Sequence, residues 1–408
     1  MKKIQGKYDE AIVFTQNIDE TTIEQIQTIL DQPHFAGSHM RIMPDTHAGK
    51  GAVIGTTMKV TDKVVPNLVG VDIGCGILCV EVLPRNISVE KIDEIIHAHV
   101  PSGLGMRKDV HPLAKDVDLS NVIAPFEQEK ALLSLGTLGG GNHFIEVNES
   151  AGRYFLTIHT GSRNLGVRVA KYHQQMAMKQ ADGMIDELKA LITQMKRAGR
   201  HQEIEAAIKQ FYATTTSSQT IPAELTYVEG AAMEHYLHDL AIAQQFATLN
   251  RQIIADVILK QAGLVEVGRI DTVHNYIDLD AMILRKGAIS AKTGEQVIIP
   301  INMRDGSLIA TGKGNADWNY SGPHGAGRIL SRSKAKQLLN LDDFKETMAG
   351  IYTTTVNEHT IDESPFAYKT LQEIVDNTKD TIELQEIIKP IYNFKAAEYV
   401  AFKKKFKK

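Results

Sequence analysis

Asp72 and Cys75 stand together inside GVDIGCG, directly after the apolar run VVPNLV. Burying a carboxylate beside a thiol is costly unless positive charge shares the site. A divalent cation would supply that charge and hold the sulfur as thiolate. The chain has fifteen histidines, and three differ from the rest in setting. His143 follows the glycine run of LGTLGGGNHFIEV, His159 ends YFLTI and opens HTGSRNLG, and His274 follows DTV in VHNYIDL. Each lies at a strand–loop junction, where binding residues concentrate on a rigid scaffold. One aspartate, one cysteine and three histidines make a metal-ligand set. The plainer reading is that Cys75 is a small buried hydrophobe and Asp72 caps a turn, and spacing alone leaves both open. Ligand softness does not name the metal, because cysteine favours zinc whereas aspartate and histidine admit manganese.

A second group of reactive residues lies in SGPHGAGRILSRSKAK. Gly325 and Gly327 flank Ala326, and a helix carrying Arg328, Arg332 and Lys334 is expected to begin at once. A glycine loop feeding a helix N-terminus offers free N–H groups and a favourable dipole to phosphate. His324 stands at the mouth of this loop, and an imidazole nitrogen can attack phosphorus to form a phosphoramidate. Packing against a helix start is the alternative role. Arg285 and Lys286 in RKGAISAKTGEQ, and Asp45, His47 and Lys50 in MPDTHAGKG, suit either a site or a salt-bridged surface loop. The chain contains no GxxxxGK[ST], GxSxG or HExxH motif, so any nucleotide chemistry must do without those cradles.

The elements that must position these residues read as an α+β chain. Short β-type runs (AVIGTTMKV, ILCVEVL, RYFLTIHT) alternate early with helix-period stretches (TTIEQIQTILDQ, VEKIDEIIHAHV). From about 168 to 263 the pattern is long and helical, broken by the loop TTTSSQTIPAEL. Strand signals return in LVEVGRIDTVHNYIDLD, AMILRKGAISA and QVIIPINM, and the C-terminal part reads as mostly helical again. The expectation is a mixed β-sheet body with a central helical insertion, one catalytic unit over 1–408, and a basic tail at about 397–408. A net charge of −4 over 408 residues gives no overall pull toward nucleic acid, so any such binding would need a local patch. Two cysteines cannot form a secreted disulfide framework. MKKIQGKYDE lacks an apolar signal region, and no run approaches about 18 uncharged apolar residues. A protein of the cytoplasm with no membrane contact is expected.

Taken in order, MPDTHAGKG, GVDIGCG, LGTLGGGNHFIE, HTGSRNLG, VHNY, RKGA and PHGAGR resemble the RtcB family of GTP-dependent RNA ligases. YVEG and QQFATLNR in the helical stretch belong to the same resemblance, which spans about Arg41 to Lys395. It implies the RtcB-like fold and two manganese ions. Cys75 would bridge them, with Asp72 and His143 on one ion and His159 and His274 on the other. His324 matches the histidine that becomes guanylylated. The guanylate pocket would use Asn142, Phe144, Ile145, Glu146, Asn275, Pro300, Met303, Ser307 and the Gly325–Ala326–Gly327 loop. IKPIYNFKA would make Lys395 a guanine contact. The implied reaction joins RNA 3′-phosphate or 2′,3′-cyclic phosphate ends to 5′-hydroxyl ends with GTP, in RNA repair or tRNA splicing. The resemblance also points to a monomer and leaves open a need for an archease-like activator. Ile301-Asn302 replace the Gly-Ser that follows this proline in many relatives, and Ala396 replaces the usual terminal glycine. Two other readings remain at this point: a manganese-dependent cyclic phosphodiesterase, and a non-catalytic RNA-binding paralogue.

Overall fold

Residues 1–84, 86–214 and 221–396 are described by a computed structural model. The early helix-period stretches form helices Glu20–Leu30 and Val89–His99. Their starts are set locally: Asp19 accepts from the Thr22 amide and Ser88 from the Lys91 amide, which satisfies donors that the first turn leaves orphaned. The runs read as strands form Ile54–Lys59, Gly76–Leu83 and Arg153–Thr160.

Two larger sheets organise the fold. One orders strands Val265–Val273, Gly76–Leu83, Arg153–Thr160, Phe144–Ser150, Ile382–Lys395, Gly306–Gly312 and Gln296–Asn302, every neighbour antiparallel. The other orders Lys2–Gln5, Glu10–Val13, Met40–His47, Ile54–Lys59, Ile283–Lys286 and Asn275–Asp278, with one parallel pair between Glu10–Val13 and Met40–His47. The chain crosses from the first sheet to the second at a single residue, His274, between Val273 and Asn275. The mixture of sheets and helices is α+β, as the element pattern led us to expect.

The helical stretch begins at Arg163, ahead of the expected start near 168, and its last helix ends at Ala262. The Ala231–Ala262 helix is apolar on more than one face, so it joins two cores. Tyr236, Leu240, Ala243, Phe246 and Ile253 pack with the six-stranded sheet, and Ile254, Ala255, Ile258 and Leu259 with the seven-stranded one. Fully burying an aliphatic side chain contributes about 1.5–3 kcal/mol, so this helix is a central strut. Residues 215–220 of the TTTSSQTIPAEL loop and the basic tail at 397–408 lie outside the described residues.

Two expectations need correcting. The C-terminal part is not mostly helical: helices Arg332–Leu338, Leu341–Thr347 and Leu371–Asn377 are short, and Ile382–Lys395 is a long strand. Its β-branched and aromatic residues, IELQEIIKPIYNFK, have a partner on each side, and that pairing outweighs local helix propensity. Nor does a helix follow the GAG loop directly. Arg328 lies outside the helix, which starts at Arg332, and Ser331 caps it by accepting from the Lys334 amide. Residues 328–331 therefore separate the GAG loop from the helix N-terminus.

Candidate active site

The antiparallel order of the seven-stranded sheet sets the start of one strand beside the end of the next. Gly76 and Phe144 begin strands, whereas Thr160, Val273 and Lys395 end them, and the register aligns Gly76 with Thr160 and with Val273, Phe144 with His159, and Lys395 with Phe144. Asp72, Cys75, His143, His159, His274 and Lys395 are thereby drawn to one end of one sheet. The second sheet meets them there through Asp45 and His47 at the end of Met40–His47 and through Asn275. The two ends enclose a cavity of about 290 Å³.

Five side chains meet at the floor. Cys75 Sγ lies 3.2 Å from His159 Nε2 and 3.6 Å from His143 Nε2, and His143 Nε2 lies 3.0 Å from Asp72 Oδ2. His159 Nε2 lies 3.3 Å from His274 Nε2. These atoms fall into two groups, Asp72–Cys75–His143 and Cys75–His159–His274, each with its ligand atoms within 4.8 Å and both sharing the sulfur. Tautomers follow from the opposite ring edges. His159 Nδ1 donates to the Asn142 carbonyl at 3.1 Å, and His143 Nδ1 donates to the Leu138 carbonyl at 2.8 Å. The Arg163 guanidinium stands farther from that His143 nitrogen, at 3.3 Å. Both Nε2 atoms therefore present lone pairs to a sulfur, a carboxylate and a third imidazole. The thiol proton and the ring proton of His274 can serve at most two of these contacts and leave His143 Nε2 facing Asp72 without one, whereas a divalent cation in each group would satisfy them all. The residues fit metal.

Electrostatics agree with that fit. Burial holds His159 and His274 well below the usual histidine range, so both are neutral, as ligation requires. Burial raises Cys75 well above the usual thiol range, and Asp72 adds to it, so without a cation the sulfur keeps its proton.

His324 stands at the cavity wall, its ring 4.9 Å from that of His274 between centroids. Its Nδ1 donates to Asp45 Oδ2 at 2.6 Å, and the same oxygen accepts from the His324 and Gly325 amides. Asp45 is wholly buried. The carboxylate thus turns the Nε2 lone pair of His324 into the cavity. Gly327, at φ 76°, packs where a Cβ would lie 2.0 Å from the Asp45 carbonyl, so only glycine lets the GAG loop close on this aspartate.

The far wall is polar and charged. Lys395 Nζ pairs with Glu363 Oε2 at 2.8 Å and lies over the Phe144 ring, 5.0 Å from its centroid. Burial would raise Glu363, but Lys395, Arg332 and Arg328 overcome it and bring the carboxyl to about 2. Glu146 accepts from Asn393 Nδ2 at 2.5 Å, and burial lifts its carboxyl to about 7 against the opposing pull of Lys395. Asn142, Asn275, Pro300, Met303 and the Gly325–Ala326–Gly327 loop line the same space. Two residues expected in the pocket do not line it. Ile145 points into the core beneath the sheet, because Phe144 and Glu146 on either side take the cavity face. Ser307 is buried in Gly306–Gly312 with its hydroxyl unpartnered. Glu363 and Tyr368, which line the cavity, were missed because neither sits in a glycine-rich stretch or directly beside a histidine. Asp45 had been left open between site and surface loop.

A sequence model described as tRNA-splicing ligase RtcB matches residues 25–128 and 117–396. The RNA-splicing ligase RtcB of Escherichia coli strain K12 is 29% identical over 395 residues, covering 86% of this chain and 88% of that protein. The tRNA-splicing ligase RtcB of Aeropyrum pernix is 27% identical over 469 residues, covering 89% of this chain and 90% of that protein. That of Methanococcus maripaludis is 27% identical over 468 residues, covering 92% and 90%.

Proposed function

The chain belongs to the RtcB family of RNA-splicing ligases, and from that premise we propose that it joins RNA 3′-phosphate or 2′,3′-cyclic phosphate ends to 5′-hydroxyl ends with GTP, His324 carrying guanylate between them. One observation supports this reading above the rest. The His324 Nε2 lone pair opens into the same cavity as a bimetal-type donor cluster, with Nδ1 tied back to Asp45.

Asp72, Cys75 and His143 would hold one divalent ion, and Cys75, His159 and His274 a second; manganese is the family's metal. Bound there, they supply charge stabilisation to the phosphoryl oxygens and the leaving group. The chain's own residues do the rest. His324 Nε2 attacks the α-phosphorus of GTP, forming an N–P bond as the bond to pyrophosphate breaks. Asp45 holds the Nδ1 proton throughout and stabilises the charge that grows on the ring. Glu146 and Lys395 would meet the guanine edge, and the GAG loop would let backbone N–H groups approach phosphate. A cyclic phosphate is opened by water to a 3′-phosphate. An oxygen of the 3′-phosphate then attacks the guanylate phosphorus and frees His324. Finally the 5′-hydroxyl oxygen attacks the 3′-phosphate, forming the phosphodiester and releasing GMP. The helical stretch belongs to this one catalytic unit, acting as a monomer. No helix among the described residues is long and apolar enough to cross a membrane. A cytoplasmic setting is part of the same proposal.

The test is end-joining. An end-labelled RNA bearing a 2′,3′-cyclic phosphate, a 5′-hydroxyl partner, Mn²⁺ and GTP should give a joined product. Opening of the cyclic phosphate without joining would make the protein a phosphodiesterase. Binding of RNA with neither step would make it a non-catalytic factor.

A further inference from the structure

We infer that Asn250 and Arg251, adjacent residues midway along the Ala231–Ala262 helix, are positioning residues that pre-set the five-residue donor cluster; the inference rests on the metal reading of that cluster. Both are wholly buried, and neither lines the cavity. They come from QQFATLNR, a stretch with no part in the chemistry described above.

Arg251 uses every donor it has. Nε and Nη2 fork onto Asp271 at 2.7 and 2.9 Å, Nη2 also meets Thr248 Oγ1 at 3.2 Å, and Nη1 reaches the carbonyls of Gly74 and Thr160 at 2.8 and 3.1 Å. Asn250 is equally committed. Its Oδ1 accepts from the Gly136 and Thr137 amides at 2.7 and 3.1 Å, while Nδ2 donates to the carbonyls of Thr137 and Gly161, both at 3.1 Å.

These anchor points map onto the ligands. Gly74 precedes Cys75, Thr160 follows His159, and Asp271 lies on the strand that ends beside His274. Thr137 precedes Leu138, whose carbonyl fixes the His143 tautomer. Gly161 lies against Asp72, where an added Cβ would fall 2.2 Å from Oδ1. One helix turn therefore braces the residues flanking Cys75 and His159, the strand leading to His274, the segment whose Leu138 carbonyl holds His143, and the glycine that lies against Asp72. The surroundings are shaped for it: a Cβ at Gly74 would meet Ala247 at 2.8 Å, and one at Gly76 would meet the Thr272 carbonyl at 2.6 Å and the Arg251 guanidinium carbon at 3.2 Å. Lysine cannot replace this arginine, because a point charge cannot hold a fork on a carboxylate and two carbonyls at once. Groups that orient ligands in this way typically set metal affinity by about 10- to 100-fold.

The experiment is Mn²⁺ binding to the full chain by calorimetry, alongside the melting temperature of the metal-free protein. Arg251→Lys should weaken Mn²⁺ binding about 10- to 100-fold. The control is Ile258→Ala, a cavity in the neighbouring core of the same helix, which should lower the melting temperature and leave Mn²⁺ affinity within about twofold. Wild-type affinity in Arg251→Lys, or equal weakening in Ile258→Ala, overturns the inference. Should Arg251→Lys not fold, Asp271→Asn takes its place with the same expectation of weakened binding, and wild-type affinity there overturns it. A wild-type protein that binds no Mn²⁺ brings down the metal reading itself.

Discussion

Asp45 Oδ2 and His324 Nδ1 are 2.6 Å apart although 279 positions separate them in the chain. The contact joins the end of a strand in the six-stranded sheet to the loop that bears the proposed nucleophile, and it decides which imidazole nitrogen is free. Asp45→Asn keeps the shape and removes the charge, so the ring can turn and the charge that develops on it is unsupported. Single-turnover guanylylation should slow by about 10²–10⁴-fold. A rate within threefold of wild type would show that this carboxylate does not orient the ring.

Gly161→Ala tests the donor cluster without touching a donor. The new methyl would lie 2.2 Å from Asp72 Oδ1 and 3.2 Å from the Cys75 Cα, so Asp72 must leave its 3.0 Å contact with His143. Mn²⁺ titration should show affinity reduced by about tenfold or more. Unchanged affinity would mean that Asp72 is not needed where it stands.

Glu146 ties stability to pH in an unusual direction. Its carboxyl is raised from 4.5 to about 7 by burial, so the folded protein holds a proton that the unfolded chain has already lost. The stabilising contribution is complete below about pH 4.5 and disappears as pH rises through about 7. Relative to Glu146→Gln, the wild type should lose about 3 kcal/mol across that window. Urea midpoints of both proteins at pH 4.5, 6 and 8 check it. A constant gap contradicts the raised value.

Glu363 behaves oppositely, because the cationic side chains around it overcome burial and lower it from 4.5 to about 2. Its contribution is present above about pH 4.5 and is lost as pH falls through about 2. Glu363→Gln, which leaves Lys395 without its 2.8 Å carboxylate partner, should cost about 3–5 kcal/mol at pH 7. The cost should shrink on acidification. A deficit that stays constant down to pH 3 or below would refute the assignment.

The donor cluster was legible because each member announces itself locally: a histidine where a strand-like run meets a turn, or a cysteine and an aspartate among glycines. The register then does what no local pattern shows, setting Phe144 opposite His159 and Lys395 opposite Phe144. Ile382–Lys395 was misread because its strand character depends on partners far away in sequence, Gly306–Gly312 and Phe144–Ser150. The helix after the GAG loop was placed too early because its cap, Ser331, lies four residues beyond Gly327. Asn250 and Arg251 were visible only as letters in QQFATLNR, since their partners are backbone groups on segments that local reading cannot bring together.

The most direct measurement is covalent transfer of label from α-labelled GTP to the protein in the presence of Mn²⁺. Wild type should acquire acid-labile, alkali-stable label. His324→Ala should acquire none, and Cys75→Ala should lose label and metal together. Label of the same stability on His324→Ala would contradict the account at its centre, because guanylate would then ride on some other side chain.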